Sequence, residues 1–363
     1  QLQQINNLYS LSSHDHDTLR YLGILKDKTL TGPQRLEIEI NSRCNLNCLF
    51  CWFHSPGTRI KMKRWELPYN KFQKIITDAS QIGIKHLYIT GRGEPCLHPR
   101  LPDMLRYAKK KGLSITLTTN LTIITKKILA AISLIDMLEI TFCGWPAEKY
   151  KKLQCPNSKN LFDTVVKNIS FIRKISALNG KPFIKINYIL TGKNIDSLYG
   201  FIKFCGGLGV QEIRLSPLSF TSETNFLKLS HLQIKRLKRK FAIYPCSGKP
   251  YIDTSWFKLK DIKIKGCYMG WETALVGIYG KVKIGCFDSP LASDGNICKT
   301  SFKKIWFSKR SQTNRLKLKY SLNTLKFCPF YSLKLRRNGI FCPFALENAR
   351  IEQKIEKTNL SLK

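Results

Sequence analysis

The chain has 363 residues, of which 43% are hydrophobic and 11% aromatic, enough to bury the core of one large domain and a smaller one. No uninterrupted apolar run of about eighteen residues occurs, and this excludes a predicted transmembrane helix. Lysine and arginine outnumber aspartate and glutamate by 61 to 24, for a net charge of +37. This charge favours an anionic partner, such as nucleic acid, a phosphorylated substrate, an acidic peptide or anionic lipid, although a Lys-rich composition that only solvates the surface explains it equally well.

Strand and helix patterns alternate from residue 35 to residue 218. Strands are predicted at Leu36–Ile40, His86–Thr90, Ser114–Thr119, Met137–Phe142, Phe183–Leu190 and Glu212–Leu215. Helices are predicted between them, over residues 68–81, 100–111, 125–132, 162–178 and 195–205. Strands that alternate with helices through right-handed crossovers form a parallel sheet, so the predicted fold class is α/β.

Chemically distinctive residues follow four of these strands. The cysteine-containing segment 44–51 follows the first strand, Gly91–Pro95 follows the second, Asn120 the third and Cys143 the fourth. Functional loops of parallel α/β folds lie at the carboxyl ends of the strands. The sequence therefore predicts one site at this edge of the sheet.

Three cysteines form a Cys-x3-Cys-x2-Cys pattern at Cys44, Cys48 and Cys51. The 13 cysteines of this long chain favour metal binding in a reducing cytoplasm over a disulfide framework. Three thiolates are too few to close a tetrahedral zinc site, whereas an iron–sulfur cluster held by three keeps one iron open. Half of a zinc site, or three buried small hydrophobic residues, are the alternatives.

The cysteine pattern, with the aromatic Phe50 just before the last cysteine, resembles that of the radical S-adenosylmethionine (radical SAM) enzymes. The resemblance implies a partial (β/α)6 barrel in which Cys44, Cys48 and Cys51 hold a 4Fe–4S cluster. In that family the open iron binds the amino and carboxylate groups of S-adenosylmethionine. One electron then cleaves the sulfonium to a 5′-deoxyadenosyl radical, which abstracts hydrogen from the substrate.

Gly91-Arg92-Gly93-Glu94-Pro95 is similar to the Gly-Gly-Glu motif of this family, with Arg92 in place of the first glycine. The resemblance implies that Gly93 and Glu94 bind the cofactor's amino group, that Asn120 contacts the cofactor and that Phe50 stacks on its adenine. Cys143 is a candidate donor of a hydrogen atom to a substrate radical.

Cys267, Cys286, Cys328 and Cys342 form a second group in the C-terminal part. The stretch from Ala274 to Cys286 is predicted as a hairpin that turns near Gly280, and a helix is predicted to end near Leu316. This order resembles the SPASM/twitch extension of radical SAM enzymes, a small α+β domain that holds auxiliary 4Fe–4S clusters. The four cysteines are the expected ligands, with Cys246 and Cys298 in reserve, and a four-thiolate zinc site is the alternative.

The predicted organisation is an N-terminal extension at 1–34, a barrel at 35–218, a basic linker at 219–261, an auxiliary-cluster domain at 262–350 and a polar tail at 351–363. We expect a cytoplasmic enzyme that abstracts hydrogen from a peptide, a protein, or a small natural-product or sugar-like molecule. The expected electron donor is a reductase such as flavodoxin or ferredoxin. A radical SAM enzyme acting on tRNA and a non-enzymatic zinc-dependent nucleic-acid-binding protein are the alternatives, both motivated by the charge.

Overall fold

The computed structural model describes residues 13–156, 159–218, 223–242, 250–254, 265–286, 291–320 and 344–361. The strands are β1 (Arg35–Glu39), β2 (His86–Thr90), β3 (Ser114–Thr119), β4 (Met137–Thr141), β5 (Phe183–Leu190), β6 (Glu212–Pro217), β7 (Tyr251–Asp253), β8 (Thr273–Val276), β9 (Lys281–Ile284) and β10 (Gly295–Asn296). None of the helices in these ranges is both long enough and apolar enough to cross a membrane.

The α-helices of the described ranges lie mostly between these strands. They are α1 (Ser13–Leu25), α2 (Tyr69–Gln81), α3 (Leu101–Lys110), α4 (Lys126–Leu129), α5 (Ala147–Gln154), α6 (Phe162–Asn179), α7 (Leu198–Gly207), α8 (His231–Ala242), α9 (Met269–Glu272), α10 (Phe302–Trp306), α11 (Lys309–Tyr320) and α12 (Ala345–Ser361).

The strands form one sheet in the order β10-β9-β8-β1-β2-β3-β4-β5-β6-β7. Strands β1 to β7 are parallel and follow chain order, as the alternation of strands and helices predicts. On the other side of β1, β8 pairs in parallel with it, and β8 and β9 form the predicted hairpin. The C-terminal hairpin therefore continues the sheet of the barrel instead of standing apart from it. The division of the chain into five segments stays a prediction.

Several boundaries and elements differ from the sequence-based prediction. The helix expected over 125–132 ends at Leu129 because Ala131 leaves helical geometry, with φ −109° and ψ 3°. Helices α1 and α5 and strand β7 were not predicted. Strand β7 lies inside the segment predicted as a linker and pairs with β6. Helix α1 is polar in sequence, but its Ile24 packs on Trp271 and on Ile351 of α12.

The two faces of the parallel sheet differ in chemistry. Residues on one face are apolar and almost fully buried against the helices, as Ile38, Ile89 and Ile140 illustrate. The alternate residues are mostly polar, and ion pairs such as that of Lys185 and Glu212, 2.7 Å apart, cross this second face. We call it the inner face, because its residues at the strand ends line the cavity described below. A strand with one apolar and one polar face has the period-two pattern of a sheet covered by helices on a single side.

Glu37 lies on the inner face of β1, where its surroundings disfavour the ionised form of its carboxyl group. Burial away from water raises the pKa of Glu37 to about 7, and the carboxylates of Glu39 and Glu139 add to the rise. Arg35 opposes it. The folded chain therefore holds a proton on Glu37 more tightly than the unfolded chain does, so the free energy of unfolding falls as the pH rises from about 4.5 to about 7.

Replacing Glu37 by Gln should remove this loss of stability at high pH. At pH 8 we expect Glu37→Gln to be more stable than the parent by on the order of 1–3 kcal/mol, and at pH 5 to differ little from it. Urea unfolding at both pH values measures the difference. Glu148→Gln, on the exposed surface of α5, is the control and should show no such dependence. A stability difference for Glu37→Gln that is equal at pH 5 and pH 8 would contradict the prediction.

Candidate metal centre

A cavity of about 260 Å³ lies at the carboxyl ends of the parallel strands. Its wall brings together nearly all the residues that the sequence predicts for the first site: Cys44, Cys48, Cys51, Phe50, Gly93, Glu94 and Asn120. These residues come from the loops after β1, β2 and β3. The three loops therefore converge on one cavity, as the sequence predicts.

In the loop after β1, backbone amides point towards a cysteine sulfur atom. The amide of Cys51 donates to the carbonyl oxygen of Cys48 at 3.0 Å, which closes a tight turn between the second and third cysteines. The amides of Phe53 and His54 lie 3.4 and 3.3 Å from Cys51 Sγ. Amides that point at sulfur stabilise a thiolate, the form in which cysteine binds a metal.

The three thiols line one cavity, and three thiolates can hold a 4Fe–4S cluster. Among the described residues, no three His, Cys, Asp or Glu side chains form a group that could hold one metal ion. A zinc site would need its sulfur atoms about 2.3 Å from one point, whereas a cube of four irons offers a different iron to each thiolate. Without a metal, burial raises the pKa of Cys44 to about 12 and also raises the pKa of Cys48 and Cys51. Metal binding to these residues would therefore release protons.

Glu94 orders the ends of two strands. Its Oε1 accepts hydrogen bonds from the amide of Cys96 at 3.0 Å and from Thr119 Oγ1 at 2.6 Å, and its Oε2 accepts from the amide of Asn120 at 2.7 Å. Burial raises the pKa of this carboxyl, and the three hydrogen bonds oppose the rise. The side chain thus accepts hydrogen bonds from three protein donors, and the role predicted for it at the cofactor's amino group stays a prediction.

Gly93 is required by a close approach of two loops. The amide of Glu94 donates to the carbonyl oxygen of Arg43 at 2.7 Å, which draws the segment after β2 against the residue before Cys44. A Cβ added at Gly93 would lie 1.8 Å from that same oxygen. No side chain fits there without moving the cysteine loop.

Arg92, which replaces the first glycine of the family motif, connects three segments. Its Nε donates to both carboxylate oxygens of Glu39, at 3.0 and 3.1 Å, and its guanidinium lies 4.5 Å from the centre of the Phe53 ring. Glu39 Oε2 also accepts from the amide of Ile278, at 2.8 Å. The cysteine loop, the end of β1 and the C-terminal hairpin therefore meet at one buried carboxylate.

The side chain of Asn120 faces the cysteine loop. Its Nδ2 donates to Asn45 Oδ1 at 3.0 Å, and its Oδ1 accepts from the amide of Thr122 at 3.0 Å. Phe50 lines the cavity and packs on Leu153 and Leu218. Contacts of Asn120 and Phe50 with a cofactor remain predictions.

Cys143 lies outside the cavity wall. It is fully buried, its Sγ donates to the carbonyl oxygen of Asn187 at 3.6 Å, and the amide of Ile189 donates to the same sulfur at 3.3 Å. Burial raises its pKa to about 12. The structure gives this thiol a packing role in the sheet, and its function as a hydrogen donor stays a prediction.

Of the second cysteine group, Cys267 and Cys286 lie within the described residues, and both are half-buried. A Cβ added at Gly285, the neighbour of Cys286, would lie 3.5 Å from the amide nitrogen of Gly270, so the two stretches are adjacent. Cys328, Cys342 and the reserve residue Cys246 lie outside the described residues. The other reserve residue, Cys298, is exposed.

Two residues of the site, His54 and Asn41, were not predicted from the sequence. His54 lines the cavity, and its Nε2 donates to the carbonyl oxygen of Arg92 at 2.8 Å. Burial lowers its pKa, so the ring favours its neutral form. Asn41 donates from Nδ2 to the carbonyl oxygen of Glu94 at 2.8 Å. The position of His54, three residues after Cys51, was the available signal, whereas nothing in the sequence distinguishes Asn41.

Comparison with known proteins agrees with this geometry. Residues 38–205 match the family model described as the radical SAM superfamily. A tungsten-containing aldehyde ferredoxin oxidoreductase cofactor-modifying protein from Pyrococcus furiosus is 25% identical over 76% of this chain and 81% of its own length. A protein named probable GTP 3′,8-cyclase from Pyrococcus horikoshii is 28% identical over 57% of this chain and 64% of its own length.

Among solved structures, Streptococcus suis SuiB bound to the precursor peptide SuiA aligns with a TM-score of 0.64 at 15% identity, and the alignment covers 82% of this chain and 70% of that chain. Residues 38–205 form a radical SAM domain. The protein is an enzyme that carries this domain, and its cofactors are a 4Fe–4S cluster and S-adenosylmethionine.

The close approach at Gly93 yields a test. Gly93→Ala should push the backbone of Arg43 away and displace the adjacent Cys44, with a loss of about 1–3 kcal/mol in stability and a lower iron content after reconstitution. Unfolding and iron analysis measure the two effects. Gly57→Ala is the matched control, since a Cβ there meets nothing within 4 Å. If Gly93→Ala has the stability and iron content of the parent, the close contact between Gly93 and Arg43 does not position the cysteine loop.

Proposed function

We propose that the chain cleaves S-adenosylmethionine reductively at a cluster held by Cys44, Cys48 and Cys51, and abstracts hydrogen from a polar substrate. One observation carries the proposal: the three cysteines line the same cavity as Gly93 and Glu94, at the carboxyl ends of parallel strands. A cluster held by these three cysteines would supply the single electron for reductive cleavage of the cofactor.

The protein's own contribution is to hold the reactants and keep water away. Apolar side chains, among them Leu46, Phe50 and Ile189, form part of the cavity wall. Such a wall limits side reactions of a reactive intermediate with solvent. The motif segment after β2 would present its main chain to the cofactor's amino group, and the carboxylate of Glu94 would hold that segment in place through its three hydrogen bonds.

The inner face of the sheet supports a polar substrate. Thr118 and Thr141 line the cavity, and below them on this face lie hydrogen-bonding groups such as Tyr88, whose hydroxyl accepts from Thr118 Oγ1 at 2.8 Å. A peptide and a sugar-like molecule both offer the donors and acceptors that such a surface binds. The peptide complex of SuiB favours a peptide, and the name of the Pyrococcus horikoshii relative favours a small molecule.

The C-terminal cysteines would hold one auxiliary cluster. Cys267 and Cys286 lie in adjacent stretches beside β8 and β9. Cys328 and Cys342 would complete four thiolates, which suffice for one fully ligated 4Fe–4S cluster. Four thiolates also suit structural zinc, so the metal itself must be measured.

The first test removes the three cysteines of the cavity. The variant with Cys44, Cys48 and Cys51 all replaced by Ala should fold and keep the C-terminal metal, yet produce no 5′-deoxyadenosine with dithionite and S-adenosylmethionine. Chromatography of the products measures this. Cys205→Ala, which removes a buried thiol in α7, is the control and should retain activity. Undiminished cleavage by the triple variant would refute the proposed function.

The second test separates iron from zinc at the C-terminal site. In the triple variant, reduction should still produce the electron paramagnetic resonance signal of an iron–sulfur cluster, because zinc has no redox chemistry. Further replacement of Cys267 and Cys286 by Ala should abolish the signal. Stoichiometric zinc without the signal would contradict the proposed auxiliary cluster, and it would not affect the proposal for the first site.

A further inference from the structure

A strongly cationic segment borders the cysteine loop. Residues Thr58–Arg64 read Thr-Arg-Ile-Lys-Met-Lys-Arg, with four basic residues and no acid. The segment begins seven residues after Cys51 and contains no regular secondary structure. The proposed chemistry uses none of its side chains.

Hydrogen bonds hold both ends of this segment to the cysteine loop. Thr58 Oγ1 donates to the carbonyl oxygen of Trp52, the residue after Cys51, at 2.7 Å. At the other end, Ser42 Oγ donates to the carbonyl oxygen of Lys63 at 3.1 Å, and Ser42 lies two residues before Cys44. The segment is thus fixed beside the three cysteines from both sides.

The charges of the segment point outward and are little compensated. The side chain of Arg59 is 92% exposed, and its nearest acid is Glu223, 3.8 Å away. Lys61, Lys63 and Arg64 are also exposed and have no ion pair within the described part of the chain. Such a group of charges raises the rate of encounter with an acidic partner at low ionic strength.

An exposed apolar side chain lies among these charges. Ile60 is 46% exposed, in the middle of the cationic segment. An apolar centre with a charged rim is the composition of a protein–protein interface, whereas a phosphate backbone is bound by charge and needs no apolar contact. The segment therefore fits an acidic protein better than a nucleic acid.

We propose that Thr58–Arg64 is the docking surface for an acidic one-electron carrier protein that reduces the cluster beside it. This inference rests on the proposed function, since it needs a cluster to receive the electron. The carrier loses one electron and the cluster gains one, with no proton or group transferred. The fixed position of the segment against the cysteine loop would bring the carrier close to that cluster.

The test neutralises the segment and measures binding. The variant Lys61→Gln/Lys63→Gln/Arg64→Gln should bind oxidised flavodoxin about tenfold more weakly than the parent at low ionic strength, as judged by calorimetry on the holoenzyme. Added salt should reduce the difference because it screens exposed charges. The control variant, Lys235→Gln/Arg236→Gln/Arg239→Gln, removes three exposed charges from α8 and should bind as the parent does.

Activity provides the second readout. With flavodoxin as the reductant, the segment variant should produce 5′-deoxyadenosine more slowly than the parent, whereas with dithionite the two should be equal. Equal flavodoxin affinities for variant and parent would overturn the proposal, as would equal weakening in the α8 control or loss of the dithionite reaction. A parent that cleaves nothing with dithionite would refute the proposed function instead, and the affinities would still decide whether flavodoxin docks here.

Discussion

The site depends on one buried carboxylate. Glu94 binds the end of β3 through Thr119 and the amide of Asn120, while the main chain of the same residue is hydrogen-bonded to Arg43 and Asn41 after β1. Three strand ends are therefore fixed relative to one another by a single residue. A buried carboxylate that accepts several hydrogen bonds tolerates little displacement, because any lost bond leaves a polar group unsatisfied away from water.

The second constraint couples the cysteine loop to the C-terminal part of the chain. Glu39 accepts hydrogen bonds from Arg92 and from the amide of Ile278, and β8 pairs with β1 over the preceding residues. The hairpin that precedes Cys286 is thereby built onto the edge of the same sheet that positions Cys44. The stretch that ends at Cys286 is therefore joined to the strand that precedes Cys44 by strand pairing and by the hydrogen bonds of Glu39.

Much of this arrangement was predictable because it has a local cause. The period-two pattern of the strands and their alternation with helices predicted the parallel sheet, and β2, β3 and β5 have the predicted bounds. The spacing of Cys44, Cys48 and Cys51 predicted a shared site, because residues so close in sequence stay close in space whatever the rest of the chain does. Helix α1 was missed because its stability comes from contacts with Trp271 and Ile351, far away in sequence.

The sequence by itself thus determined the class of fold, the spacing of the three cysteines and the strand ends at which they lie. Only the tertiary structure decided how the other residues are used. It directed the carboxylate of Glu94 to Cys96, Thr119 and Asn120, and it placed Cys143 behind the cavity wall. It also joined the C-terminal hairpin to β1. The physical reason is that hydrogen bonds and strand pairing between distant segments depend on how the whole sheet assembles, and no local pattern of residues encodes that.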